Sequence, residues 1–191
     1  MKIFTVRHGQ TDWNLQGRLQ GHTDMPLNET GLDQARRIGL RLAGEDIDAI
    51  YTSDLSRAVQ TAQAINQHHN AEIFTTASLR EASFGKYEGR IIKDVFHEIN
   101  WDHVDPDEED RVAVFERVHK FLDDIIISKS HKNIVIVGHF GSVMAAICYF
   151  LKVPITEREK FKVGNTAIHC FEQNLDGTFR MTIENERKHL D

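Results

Sequence analysis

Cysteine is scarce in this chain of 191 residues: only Cys148 and Cys170 are present, both in apolar surroundings. That argues against a disulfide framework and makes a reduced, cytoplasmic setting the simplest expectation. An excess of basic charge is also lacking. The formal net charge is −6, which speaks against a nucleic-acid partner and against a membrane-surface partner, since both usually call for surplus Lys and Arg. An anionic ligand would have to be attracted locally, by a few arginines in a pocket. The opening "MKIFTVRHG" holds too short an apolar stretch for a signal peptide, and no small-residue cleavage site follows it. An uninterrupted membrane span is missing as well. Residues 134–151, "IVIVGHFGSVMAAICYFL", approach the required length of about 18, but Gly138-His139-Phe140-Gly141 divides them into a β-branched strand and an Ala-rich helix. No repeat, low-complexity tract or linker appears, so residues 1–191 read as a single domain.

What is present alternates strand and helix signals. "KIFTV", "DAIYTS", "EIFTT" and "NIVIVG" read as strands. Residues 10–29 read as a long polar loop with room for one helical turn. A helix follows, with Thr30 and Asp33 spaced as a capping box, Leu32, Ala35, Ile38 or Gly39, and Leu42 on one face, and Gly44 ending it. "SDLSRAVQTAQAINQ" is a second helix with Ser53 or Asp54 as its N-cap. A third helix carries Ile91, Val95 and Ile99. A fourth, residues 112–127, carries Phe115, Val118, Leu122 and Ile125, and Ser142 can cap a fifth. "WDHVDPDEEDR" reads as a solvated acidic break. Asp176-Gly177 marks a C-terminal β-hairpin. The expected fold is therefore α/β: three layers, α/β/α, around a mostly parallel sheet, with residues 82–135 as a helical and loop region that sets specificity.

In such folds ligands bind beyond the carboxyl ends of the strands. Arg7-His8 follows the first strand, Ser53 to Arg57 the second, Glu81 lies past the third and His139 follows residues 134–137. Both histidines adjoin glycine, which allows a sharp turn and close approach. Arg7 and Arg57 offer planar forks suited to phosphate. Arg57 falls in the first turn of its helix, where the macrodipole disfavours a cation. An anion completing the site would explain that placement. His68, His69 and His131 read as surface residues, and no metal site is expected.

Five stretches in order, "RHGQTDWN", "GRLQGHTDMPLNETGLDQA", "SDLSRAVQTA", "LREASFGKYEG" and "VGHFGS", resemble the successive motifs of the histidine phosphatase superfamily, in its phosphoglycerate mutase-like branch. The resemblance runs from residue 3 to about residue 171. It implies a phosphoglycerate mutase-like fold in which His8 is transiently phosphorylated, Arg7, Arg57 and His139 hold the phosphoryl group, and Glu81 is the proton donor. It also implies that Asn14, Gln20 and Gly21 line the phosphate or substrate pocket. Glu88 lies in the same loop as Glu81, but Glu81 matches the family's L-x-E position. Phe140 stands where the family usually has glycine.

The chemistry agrees with those roles. Phosphate monoesters hydrolyse among the slowest of reactions uncatalysed, and positioning with charge stabilisation does most of the catalytic work. The arginines would disfavour a further positive charge on His8 and keep it nucleophilic. They would also supply the positive charge without a metal or other cofactor. The expected partner is a small-molecule phosphate monoester, and its alcohol (a sugar, a glycerate, a nucleoside or a cobalamin precursor) is left open, as is the oligomeric state. A phosphatase is expected over a cofactor-dependent phosphoglycerate mutase: the resemblance implies that mutases of the family hold a second anionic group with an adjacent basic pair in a longer insertion, and residues 82–138 contain no adjacent pair of Lys or Arg. A binding module without turnover is the third reading.

Overall fold

A computed structural model of the chain describes residues 1–99, 107–128 and 131–191. Six strands form one sheet: β1 (Lys2–Arg7), β2 (Ala49–Ser53), β3 (Glu72–Thr76), β4 (Asn133–Gly138), β5 (Ile168–Gln173) and β6 (Phe179–Glu186). Their order is β3-β2-β4-β1-β5-β6. The first four pair in parallel, and β5 runs antiparallel to both β1 and β6. The helices are α1 (Asp12–Leu15), α2 (Glu29–Leu42), α3 (Ser56–Asn66), α4 (Ile92–Val95), α5 (Arg111–Ser128) and α6 (Phe140–Leu151). Among the described residues no helix is long and apolar enough to cross a membrane.

The β4 sequence shows why helices cover both faces. Successive side chains of a strand point to opposite sides, and here both sides are aliphatic. Ile134 and Ile136 enter one core with Val118, Leu122 and Ile147 of α5 and α6. Val135 and Val137 enter the other with Ile38, Leu42 and Ala62 of α2 and α3. Each such buried side chain contributes about 1.5–3 kcal/mol. The expected three-layer, mostly parallel arrangement follows, and β5 and β6 form the C-terminal hairpin.

Several local expectations differ. The cap of α2 is Asn28, whose Oδ1 accepts the Gly31 N–H at 2.9 Å; Thr30 and Asp33 form no capping box. The helix therefore begins at Glu29, Leu32 is left 50% exposed, and Gly31 is buried in its place. A Cβ at Gly31 would collide with the Gln10 carbonyl, so only glycine lets the loop after β1 lie on this helix. Neither Ser53 nor Asp54 caps α3. Its N-cap position is Leu55, and the carboxylate comes from the polar loop: Asp24 Oδ1 accepts the Ser56 N–H at 2.7 Å. Ser142 stands inside α6, where its Oγ accepts the N–H of the N-cap residue His139 at 2.9 Å.

The helix expected through Ile91, Val95 and Ile99 shrinks to the single turn α4. Ile91 is extended and bridges Arg18, while Val95 and Ile99 pack with Leu19 and Tyr87. Residues 101–106 of the acidic break lie outside the described residues. Its remainder is not simply solvated: Asp110 Oδ1 accepts the Ala113 N–H at 2.7 Å, and Glu109 pairs with Arg117 at 2.6 Å.

Replacing Asn28 by Ala is expected to cost about 1 kcal/mol, the typical worth of an N-cap. Thr30→Ala should change stability by a few tenths of that. Urea unfolding of the two variants measures the difference, and the reverse order would return the cap to Thr30.

Candidate active site

The register of the sheet assembles the site. Arg7 of β1 pairs with Gly138 of β4, and His8 donates its N–H to the Gly138 carbonyl at 2.9 Å. The two histidines that end these strands thus become neighbours, with ring centroids 5.1 Å apart. Both are buried, at 2% and 0% exposure.

Their tautomers follow from partners whose roles are unambiguous. His8 Nδ1 lies 2.6 Å from the Gly9 carbonyl; a carbonyl can only accept, so Nδ1 carries the hydrogen and Nε2 holds the lone pair. His139 Nδ1 receives a hydrogen bond from Arg57 Nε at 3.2 Å; a guanidinium can only donate, so the hydrogen of His139 is on Nε2. That Nε2 is buried with no hydrogen-bond partner among the described residues. Burial, then the Arg7 and Arg57 charges, pushes His8 well below its usual pKa. Burial, then Arg57 and His8, does the same to His139. Burial, rather than the arginines, is the larger cause of neutrality at His8.

Arg57 is fully buried. Its other two nitrogens donate to the Gly21 carbonyl at 2.8 Å and the Thr23 carbonyl at 2.9 Å. A guanidinium has five N–H groups, so two donors are left over after these three bonds. Burial lowers its pKa to about 10, against the favourable charges of Glu81, Asp24 and Glu88. Arg7 donates to the Val163 carbonyl at 2.9 Å and keeps a buried Nε without a partner among the described residues. Beside the two histidines, Arg7 and Arg57 are close enough for their charges to act on both rings, and each keeps donors that these bonds do not use. The N-terminus of α6 adds its own positive potential.

The two glutamates of the loop after β3 separate clearly. Glu88 accepts from the N–H groups of His22, Thr23 and Phe84 at 2.8–3.1 Å and from the Thr23 hydroxyl at 2.5 Å. It ties down the same 21–23 segment whose carbonyls hold Arg57. Gly21 is left-handed (φ +52°), and a Cβ there would strike the Glu88 carboxylate. Glu81 points instead at the start of α6, accepting the Gly141 N–H at 3.0 Å. Its own carbonyl accepts from Arg117 and His22, each at 3.0 Å. A cleft of about 370 Å³ opens beside Glu81, Phe140 and Gly141.

Asn14 and Gln20 meet through Thr11, whose hydroxyl lies 2.9 Å from Gln20 Oε1 and whose N–H donates to Asn14 Oδ1 at 3.2 Å. With their oxygens so used, both amides keep their NH₂ ends as donors. Sequence reasoning missed Thr11, Asp24, Thr61, Arg117, Asn165 and Thr166. Asn165 Nδ2 donates to the His8 carbonyl at 3.0 Å. The Thr61 hydroxyl accepts the Gly9 N–H at 3.1 Å. Thr166 donates its N–H to the Arg7 carbonyl at 3.0 Å from a left-handed backbone (φ +50°), which is costly for a β-branched residue. All are ordinary polar residues until the fold brings their partners near, and only Thr166's strain marks it.

A family model described as the histidine phosphatase superfamily (branch 1) matches residues 3–185. Phosphoserine phosphatase 1 of Hydrogenobacter thermophilus is 28% identical, over 91% of this chain and 88% of its own length. A protein of Proteus mirabilis named "Probable phosphoglycerate mutase GpmB" is 29% identical over 88% and 83%. Among solved structures, the phosphoserine phosphatase of Entamoeba histolytica in complex with 3-phosphoglyceric acid is 30% identical. It covers 100% of this chain and 99% of that one, with a TM-score of 0.85.

Two outcomes are expected. First, Glu88→Ala should lower both stability and the affinity for inorganic phosphate, by about tenfold or more for the latter, because the Arg57 carbonyl clamp loosens. Unchanged phosphate binding on isothermal titration would assign Glu88 a purely local role. Second, His8 and His139 have native pKa values below their unfolded value near 6.5. Their contribution is present above pH 6.5 and is lost as the pH falls below it. Each adds a slope of about 1.4 kcal/mol per pH unit in that window. Denaturant midpoints between pH 7.5 and 5 measure this, and His139→Asn should flatten the slope.

Proposed function

The chain belongs to the histidine phosphatase superfamily, branch 1, and on that footing we propose that it is a metal-independent phosphatase that hydrolyses small phosphate monoesters through a phosphohistidine on His8. The observation that carries the reading is the opposed tautomer pair: a lone pair on His8 Nε2 and an N–H on His139 Nε2, in rings 5.1 Å apart and flanked by two arginines. An additional support is the resemblance to proteins named as phosphatases.

The steps follow from these atoms. The phosphoryl oxygens bind to the remaining donors of Arg7, Arg57 and His139, with the NH₂ ends of Asn14 and Gln20 at the rim. His8 Nε2 attacks phosphorus, forming the P–N bond as the bond to the alcohol oxygen breaks. Glu81 gives its proton to that departing oxygen. As a carboxylate it then takes a proton from water, whose oxygen attacks phosphorus. The P–N bond breaks, inorganic phosphate leaves, and His8 and Glu81 return to their starting forms. The donors are fixed before substrate arrives and lie in a water-poor site, where such electrostatic stabilisation is strongest.

Hydrolysis is favoured over the mutase reading because residues 82–138 carry no adjacent basic pair, and a mutase must also protect its phosphohistidine from water. Purified protein should release phosphate from p-nitrophenyl phosphate in the presence of EDTA. His8→Ala should abolish this, and His139→Gln should lower kcat about 10²–10³-fold. Rapid acid-free quenching of Glu81→Gln should trap phosphate on His8, since p-nitrophenolate leaves without a proton while the water step still needs a base. Full activity in His8→Ala would sink the mechanism. Interconversion of 2- and 3-phosphoglycerate faster than hydrolysis, primed by bisphosphoglycerate, would establish the mutase.

A further inference from the structure

The cleft bordered by Glu81 and Gly141 has walls unlike the phosphate end of the site. Phe84, Phe96, Val114, Phe115, Phe140 and Met144 line most of it. Two of the rings are open to solvent, Phe96 at 59% and Phe140 at 45% exposure. The Phe140 ring centroid lies 5.8 Å from the Arg7 guanidinium carbon, so one ring borders both the cation and the cleft. Glu81, the proton donor of the proposed mechanism, lines this same space. The group that leaves with the donated proton must therefore occupy it.

Its charged members do not favour a second anion. Three carboxylates, Glu81, Glu109 and Glu159, face two guanidiniums, Arg111 and Arg158. Glu109 is neutralised by Arg117 at 2.6 Å, and Arg158 lies 3.9 Å from Glu159. Among the described residues the lining offers at most one guanidinium beyond its carboxylates when Glu81 is protonated, and none when Glu81 is a carboxylate, which is little to repay the desolvation of an acidic group against phenyl rings. An aromatic group gains from the same surface by covering exposed rings and by offset or edge-to-face contact with them. The volume of about 370 Å³ admits a one- or two-ring aryl group.

Resting on the phosphatase reading, we infer that the alcohol portion of the substrate is aromatic and carries no second acidic group: the enzyme takes aryl phosphates or phosphate esters of aryl-bearing alcohols. Small carboxylate-bearing esters such as phosphoserine and 3-phosphoglycerate are then poor substrates for this chain.

Two measurements test this on the wild-type protein. In turnover, kcat/KM for 1-naphthyl phosphate should exceed that for phosphoserine and for 3-phosphoglycerate by about tenfold or more, and Phe96→Ser should shrink that ratio severalfold. In binding, 1-naphthylmethylphosphonate, which cannot be hydrolysed, should bind about tenfold or more tightly than methylphosphonate. Equal affinity of the two phosphonates would overturn the inference even if the enzyme is active. So would a preference for the carboxylate-bearing esters, with Arg111→Leu removing it, which would make the cleft an acid-binding one. Tight naphthyl binding without turnover of any ester would uphold the aromatic cleft and strike only the phosphatase reading.

Discussion

The site depends on a cation taken wholly out of water. A buried guanidinium is expensive unless its hydrogen bonds are met and its charge is answered. Arg57 is fully buried, and the chain answers it with the Gly21 and Thr23 carbonyls and the ring of His139. Those carbonyls are available only because Glu88 gathers the N–H groups of His22 and Thr23. Asp24, next along the same loop, caps the helix that carries Arg57. The long polar loop after β1, α3 and the loop after β3 are thus all folded around one side chain.

The same burial sets the charge state of the neighbours. Burial first, and then the positive charges of Arg7 and Arg57 acting through a low-dielectric interior, keeps the imidazoles of His8 and His139 neutral. Arg57 also fixes the tautomer of His139 by donating to its Nδ1. The site consequently holds two guanidiniums and one imidazole N–H on His139 Nε2, with the Glu81 carboxyl group acting on both cations. In the proposed function a dianionic phosphoryl group would balance these charges. This also explains a cation in the first turn of α3, against the helix dipole: carbonyls and the Asp24 carboxylate compensate for part of the misfit.

Much of this was legible in the sequence, and the reasons are specific. "NIVIVG" is aliphatic at every interior position, which predicts a strand covered on both faces. The order of strands and helices predicts which loops share an edge, and Arg7, His8, Arg57, Glu81 and His139 do meet there. What periodicity does not carry is the contacts that cross from one loop to another. Asp24 as the cap of α3 and Asn28 in place of Thr30 depend on where separate segments lie. Thr61, Arg117 and Asn165 likewise gain meaning only from backbone groups between 36 and 157 residues away in sequence. α4 was overread for a related reason: an i, i+4, i+8 pattern of Ile91, Val95 and Ile99 is met by one helical turn plus an extended residue bridged to Arg18.

Glu81 and Glu88 show how far residue type falls short of role. They are seven positions apart in one loop and chemically identical. Glu88 receives hydrogen bonds from three backbone N–H groups and a hydroxyl, so both of its oxygens are taken up in holding the loop together. Glu81 is held differently. Arg117 and His22 grip its backbone carbonyl, while its carboxylate rests on the Gly141 and Ala82 N–H groups beside the open cleft. Gly141 is required for that placement, because a Cβ would collide with Glu81 Oε1. One carboxylate is therefore fixed as part of the scaffold that holds Arg57. The other is held through its main chain with its carboxyl group lining the open cleft, the placement that the proposed proton-donor role requires, and that difference in partners, not in residue type, separates the two glutamates of this loop.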